Sequence, residues 1–125
     1  MPKLTLKEII MTVKIYHNPR CSKSRETLSL LEEKGLSPDV TEYLKTPPDV
    51  ETLTDILNTL NMEPRQLMRQ HEAEYKENHL DNPDLTKEQL IQAMIDFPKI
   101  MERPIVVNNG KVAIGRPPVN VLDIL

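Results

Sequence analysis

The elements predicted from this 125-residue sequence follow the order of an α/β protein. A strand-helix-strand pattern occupies residues 12–44, and two strands with a tight turn and a short closing helix occupy residues 105–125. Helical periodicity dominates residues 49–97 between them. A chain of this length suits one domain with a single modest core. We therefore expect one mixed sheet whose two halves are separated in the sequence by helices.

The first half begins with a strand and a helix. Val13 and Ile15 alternate with polar neighbours in TVKIY, which predicts a half-buried strand. Residues 22–34 have the pattern of a helix, and Gly35 just beyond them is typical of a helix end. The segment VTEYL, residues 40–44, is the predicted second strand. It would lie parallel to the first strand through a right-handed crossover.

The middle of the chain is predicted to be helical. Residues 46–49, Thr-Pro-Pro-Asp, precede a helix with an apolar stripe at helical spacing, formed by Leu53, Ile56, Leu57 and Leu60. A further short helix is expected over residues 64–70, whereas the polar residues 71–84 are expected to be rich in loops. Thr86 and Gln89 have the spacing of a capping box and open the last helix of this block.

The last part of the sequence predicts a β-hairpin and a closing helix. Strands at residues 105–107 and 111–115 flank Asn108-Asn109-Gly110, a strong hairpin signal. A short final helix is suggested by Val119, Leu122 and Leu125. The complete order, β-α-β, helical block and β-β-α, is that of a thioredoxin-like fold with a helical insertion between its two halves.

Composition and charge exclude several classes of function. The formal net charge of −3 argues against general nucleic-acid binding, which requires surplus Lys and Arg. No apolar run is long enough to cross a bilayer, and residues 1–10 lack the apolar core of a secretory signal. We therefore expect a cytoplasmic protein with no membrane partner. We interpret residues 1–10 as an N-terminal extension that need not be native, followed by a single domain over residues 11–125.

The single cysteine limits the redox chemistry. It excludes an internal disulfide and a CxxC pair, so a second thiol must come from another molecule. The histidines are scattered and lack metal-ligand spacing, so no bound metal is expected. A phosphatase loop is excluded as well, because it needs an arginine six residues after the cysteine, where this chain has Thr27.

Cys21 itself is predicted to be a reactive nucleophile at the N-terminus of a helix. The first N–H groups of a helix have no internal partner and can point at a thiolate or an oxyanion. A thiol with a pKa near 8.5 is only about 3% ionised at pH 7, and lowering that pKa by two units takes about 2.7 kcal/mol. The helix terminus contributes about 0.3–1 kcal/mol. At least one cation should therefore approach the sulfur, and those nearby in sequence are His17, Arg20, Lys23 and Arg25.

Several motifs in this order identify a family. With HNPRCSKSRETL at residues 17–28, the chain carries YLKTPP, RQLMR, ERPIVV and IGRPPVNVLDIL, at residues 43–48, 65–69, 102–107 and 114–125. In these features it closely resembles the glutaredoxin-coupled arsenate reductase family (ArsC type), from about residue 12 to the last residue. Ser22-Lys23 follows the cysteine where members with established arsenate activity often carry Gly-Thr. The chain therefore looks more like an arsenate reductase-like subgroup.

The resemblance implies a specific chemistry. Arsenate would be reduced to arsenite through a covalent adduct on Cys21, with His17 supporting the thiolate. From the residues alone, Ser24 either donates a hydrogen bond to the thiolate or caps the helix. Three oxyanion-binding arginines are implied: Arg69, Arg103 and Arg116. No cofactor would be bound; glutathione and glutaredoxin would act as reducing co-substrates. Pro104 stands where a thioredoxin fold usually places a cis-proline beside the cysteine, so we expect a cis Arg103-Pro104 bond.

Two other functions stay open at this point. One is a general glutathione-linked thiol oxidoreductase without oxyanion specificity, which would have no need of the three arginines. The other is a regulator of the Spx type, which shares the fold and binds RNA polymerase. Such regulators typically sense oxidation through a CxxC pair, and Ser24 stands where the second cysteine would be.

Overall fold

The computed structural model describes residues 13–125, so the predicted N-terminal extension, residues 1–10, lies outside it. The chain forms two compact units. Residues 13–42 with 103–125 form the sheet unit, and residues 43–102 form the helical unit, which corresponds to the predicted insertion. No helix in the described part of the chain has the length and apolar character needed to cross a membrane. That residues 11–125 fold as one domain stays a prediction.

The sheet unit contains a four-stranded mixed sheet. Its elements in chain order are β1 (Val13–His17), α1 (Ser22–Glu33), β2 (Asp39–Glu42), β3 (Ile105–Asn108), β4 (Lys111–Ile114) and a 3₁₀ helix (Pro118–Ile124). The strand order is β2-β1-β3-β4, with β2 parallel to β1 and the other two pairs antiparallel. Ile15 in the centre of β1 pairs with Val40 on one side and Val106 on the other. The predicted thioredoxin-like order is confirmed.

The core of the sheet unit is apolar. It is formed by Val13, Ile15, Leu31, Val106, Ala113, Val121 and Ile124. The residues that suggested the final helix, Val119, Leu122 and Leu125, are instead 57%, 36% and 42% exposed. Since residues three apart share a face of a 3₁₀ helix, Val121 and Ile124 form its buried side.

Residues in the left-handed conformation end α1 and form the hairpin turn. Gly35 has φ +80°, and the N–H groups of Gly35 and Leu36 donate to the carbonyls of Glu32 and Leu31. This is a Schellman end, as expected for a glycine in this position. Between β3 and β4, both turn residues, at positions 109 and 110, have positive φ, as a type I′ turn requires.

The helical unit contains three α-helices and two 3₁₀ helices. They are α2 (Val50–Leu60), a 3₁₀ helix (Pro64–Leu67), α3 (Ala73–Glu77), α4 (Lys87–Asp96) and a second 3₁₀ helix (Pro98–Ile100). The Asp49 carboxylate accepts the N–H of Thr52 at 2.8 Å and caps α2. Thr86 and Gln89 form the predicted capping box of α4, with bonds of 2.8 and 3.1 Å.

Three further local predictions differ from the structure. The short helix expected over residues 64–70 is a 3₁₀ helix that ends at Leu67. The stretch expected to be rich in loops, residues 71–84, contains α3, whose one buried residue is Tyr75. A five-residue helix held by a single aromatic side chain has no periodicity that a sequence could reveal. The second strand ends at Glu42, before Tyr43-Leu44.

Candidate active site

The loop between β1 and α1 places Cys21 at the N-cap of α1. Its backbone is extended, with φ −95° and ψ 124°, and its carbonyl accepts the N–H of Arg25 at 3.0 Å, the first bond of the helix. Its own N–H donates to the carbonyl of Asn18 at 3.0 Å. The free thiol is half-buried. The sulfur therefore lies where the first N–H groups of a helix converge.

Opposing effects act on the Cys21 thiol. Burial, the largest single effect, raises its pKa. The backbone N–H of Ser24, the side chain and charge of Arg103, and the N–H of Lys23 all lower it. The result is a pKa below the ordinary value. Since the thiolate is the nucleophilic form of cysteine, this environment favours reaction at Cys21.

The cation that acts on the sulfur comes from far away in the sequence. Arg103 contributes both a side-chain hydrogen bond and its charge. Two of the local candidates are engaged elsewhere: Lys23 forms an exposed ion pair with Glu26 at 3.6 Å, and Arg25 Nη1 donates to the Pro19 carbonyl at 3.0 Å. The sequence predicted that a cation was needed, and the resemblance rather than the local pattern indicated Arg103.

His17 and Ser24 form a buried pair behind the cysteine loop. Ser24 Oγ lies 2.7 Å from His17 Nδ1 and accepts the N–H of Asn18 at 3.0 Å. His17 is 6% exposed and Ser24 is completely buried. The Ser24 hydroxyl thus holds the loop together, while its backbone N–H acts on the sulfur.

The pKa of His17 is lowered from its ordinary value. Burial is the main cause, and the charge of Arg25 acts in the same direction, against the opposing effect of Glu42. Burial therefore favours the neutral form of His17. A neutral imidazole can exchange one hydrogen bond with Ser24 at Nδ1, and the tautomer fixes which of the two donates.

The predicted cis bond between Arg103 and Pro104 is confirmed. Pro104 is buried, and its carbonyl accepts the N–H of Gly115 at 2.9 Å. A second cis bond, not predicted, joins Arg116 to Pro117. Arg116 is exposed and begins the turn into the final 3₁₀ helix, where its carbonyl accepts Asn120 Nδ2 at 3.0 Å.

Arg69 belongs to the helical unit and has partners there. Its Nη1 lies 3.0 Å from Glu72 Oε1, an ion-pair distance without hydrogen-bond alignment, and its Nη2 lies 3.3 Å from His71 Nε2. The side chain is 11% exposed, and Nε is buried without a hydrogen-bond partner among the described residues. This guanidinium retains donor capacity that an oxyanion could use.

Sequence reasoning missed Asn18 as a structural part of the site. Its Oδ1 accepts the N–H of Arg20 at 3.0 Å, and its carbonyl and N–H bind Cys21 and Ser24. An Asn followed by Pro is a signal for such a side-chain-stabilised turn. The structure thus brings together Cys21 and Arg103 at the sulfur, with Asn18 fixing the loop.

The sequence matches the model of the ArsC family over residues 16–124. It is 62% identical over 114 residues to the uncharacterized protein YfgD of Escherichia coli K12, covering 90% of this chain and 96% of that protein. It is 52% identical to an arsenate reductase of Neisseria meningitidis serogroup B, covering 90% and 97%. A solved structure, an arsenate reductase from Vibrio cholerae, superposes with a TM-score of 0.89 at 52% identity, covering 92% and 98%. The chain belongs to the ArsC family.

Proposed function

We propose that this protein reduces arsenate to arsenite, with the Cys21 thiolate as nucleophile and with glutathione and glutaredoxin as the reductants. The observation that carries the proposal is that Cys21 lies at the N-cap of α1 and that the side chain of Arg103 hydrogen-bonds to its thiol. Family relatives that share 52% identity and are named arsenate reductases support the choice of substrate.

The site suits an attack by sulfur on an oxyanion. The effects that lower the pKa of Cys21 are two backbone N–H groups and one guanidinium, and all three are also donors for anionic oxygens. When the Cys21 thiolate forms a bond to arsenic, the sulfur loses its negative charge. The same donors are then available for the arsenate oxygens, on which the charge remains.

The three arginines named by the resemblance would bind the substrate. Arginine presents a planar fork that matches two oxygens at once, which makes it better suited than lysine to a tetrahedral dianion. Arg103 and Arg116 belong to the same unit as Cys21. Arg69 would supply its unpartnered Nε. His17 and Ser24 would hold the cysteine loop in shape, and Pro104 would fix Arg103.

The reaction balances with thiols as the only reductants. The Cys21 thiolate displaces one arsenate oxygen as water after protonation and forms a sulfur–arsenic(V) bond. A glutathione thiolate then attacks the Cys21 sulfur, and the electron pair of the sulfur–arsenic bond leaves with arsenic, which becomes arsenic(III). The resulting mixed disulfide is reduced by a thiol of glutaredoxin. An external thiol is required in any case, since the chain has one cysteine.

The experiment is an assay of arsenite formation by the purified protein. Arsenate is supplied with glutathione and glutaredoxin, or with a thioredoxin system instead, and arsenite is separated from arsenate and quantified. We expect turnover with the glutaredoxin system and none in Cys21→Ser. Arsenite formed by Cys21→Ser as fast as by wild type would contradict the proposal, and turnover with thioredoxin alone would contradict the proposed reductant.

A disulfide substrate in parallel separates the alternatives. Reduction of a glutathione mixed disulfide without arsenite formation would identify a general thiol oxidoreductase. Absence of both activities together with binding to RNA polymerase would identify a regulator. An Arg103→Ala variant provides a further control, because it should weaken arsenate reduction while the protein stays folded.

A further inference from the structure

Gly115, the residue after β4, is packed too closely for any side chain. A Cβ atom on it would lie 2.5 Å from Thr27 Oγ1, 2.8 Å from Pro104 Cγ and 3.0 Å from Thr27 Cγ2. Optimal contacts between carbon atoms are about 3.5–4.0 Å. By contrast, a Cβ on Gly35 or Gly110 would meet nothing within 4 Å. Steric exclusion therefore requires a glycine at position 115.

Neither neighbour can easily move away. Thr27 is completely buried in α1, and its hydroxyl donates to the Lys23 carbonyl at 2.7 Å. As a β-branched residue in a helix it has few rotamers. Pro104 has a rigid ring, and the Gly115 N–H holds its carbonyl at 2.9 Å. An added methyl group would have to push one of these two segments.

These two segments are the ones that meet at the sulfur. Thr27 lies six residues after Cys21, about 9 Å along the axis of the same helix. Pro104 directly follows Arg103, whose side chain hydrogen-bonds to Cys21. The helix and the Arg103-Pro104 segment therefore meet at Cys21, and farther along both lie against Gly115. A change in their separation at Gly115 should alter the geometry at Cys21.

We propose that Gly115 is a positioning residue for the nucleophile: its lack of a side chain lets α1 and the Arg103-Pro104 segment approach closely enough for Arg103 to reach Cys21. Its meaning for catalysis rests on the proposed function. The positioning itself concerns only the thiol and is measurable without arsenate.

The test is the pH dependence of Cys21 alkylation in Gly115→Ala. Iodoacetamide, a neutral reagent, reacts with the thiolate, and the chain has no other cysteine to interfere. On the acidic side of the profile the rate is proportional to the thiolate fraction. We expect the rate there to fall about threefold to tenfold, as when a charge-assisted hydrogen bond is weakened but not removed. The control is Val121→Ala, which opens a cavity in the same core and should leave the profile unchanged.

Two double variants identify the route of the effect. In Gly115→Ala/Arg103→Ala the profile should match that of Arg103→Ala alone, because the contact that Gly115 positions is already gone. In Gly115→Ala/Thr27→Ala the two contacts with Thr27 are relieved, and of the three nearest atoms Pro104 Cγ remains. The profile should then lie between those of Gly115→Ala and wild type. If Gly115→Ala does not fold, this second variant replaces it, with a profile between wild type and Arg103→Ala.

Three results would overturn the proposal. The first is a wild-type alkylation profile in folded Gly115→Ala. The second, which applies if Gly115→Ala does not fold, is a wild-type profile in Gly115→Ala/Thr27→Ala. The third is a change in the profile on adding Gly115→Ala to Arg103→Ala that is as large as the change in wild type. A protein without arsenate activity but with these alkylation profiles would refute the proposed function and leave the positioning role intact.

Discussion

Replacing Ser24 with alanine separates the stability of the cysteine loop from the reactivity of its sulfur. The Ser24 hydroxyl lies 2.7 Å from His17 Nδ1 and accepts the Asn18 N–H at 3.0 Å. All three residues are buried. Ser24→Ala removes the hydroxyl without a steric clash and leaves two buried polar groups without this partner.

The expected loss of stability follows from those two groups. Each buried polar group that loses its partner costs about 1–3 kcal/mol. Some loop relaxation will reduce the sum, so we expect about 2–4 kcal/mol in total. The better helix propensity of alanine offsets about 0.5 kcal/mol of this. The remainder is a large part of the stability of a small domain.

Urea unfolding of Ser24→Ala and Ser29→Ala measures this difference. Ser29 is exposed on the same helix, so its replacement changes helix propensity alone. The alkylation profile of Cys21 should move little in Ser24→Ala, because the backbone N–H that acts on the sulfur is retained. Equal midpoints of unfolding in the two variants would refute this account of the loop.

Two further predictions concern stability. The pKa of His17 is lower in the folded protein than its ordinary value of 6.5 in the unfolded chain. As the pH falls below 6.5, the unfolded chain therefore takes up a proton before the folded protein does, and the free energy of unfolding decreases. Urea unfolding from about pH 7.5 to about pH 5 should show a steeper loss for wild type than for His17→Asn, and parallel curves would contradict the buried neutral imidazole. Gly35→Ala should lower the free energy of unfolding by about 1–2 kcal/mol, because alanine is strained at φ +80°. A steric clash does not contribute, since the added Cβ would meet nothing within 4 Å. Gly35→Asn should cost less, and a Gly35→Ala protein as stable as wild type would rule out the strain.

Elements with local signals were predictable from the sequence. The capping box at Thr86, the glycine after α1 and the hairpin turn each depend on a few adjacent residues, and each lies where the pattern indicated. Helix α3 has no such signal, because its only buried side chain is Tyr75. The inward face of the final 3₁₀ helix was also not predictable, since two of its three faces carry apolar residues three apart.

The candidate site was predictable only in part. The strand-loop-helix pattern placed Cys21 at a helix N-terminus, and the charge requirement called for a cation beside it. The identity of the cation beside the Cys21 sulfur depends on the pairing of β1 with β3. This pairing brings Arg103, which is distant in the sequence, to the cysteine loop. The contacts of Gly115 depend on the same packing. A glycine at a strand end signals close approach but does not reveal what it approaches.

Arg103 and the N-terminus of α1 lower the pKa of Cys21 and thereby favour its thiolate. Titration of the thiolate by its ultraviolet absorbance, in wild type and in Arg103→Ala, tests this directly. We expect a wild-type midpoint below that of a free cysteine peptide and a higher midpoint in Arg103→Ala. A wild-type midpoint at or above the peptide value, or the same midpoint in both proteins, would contradict the claim.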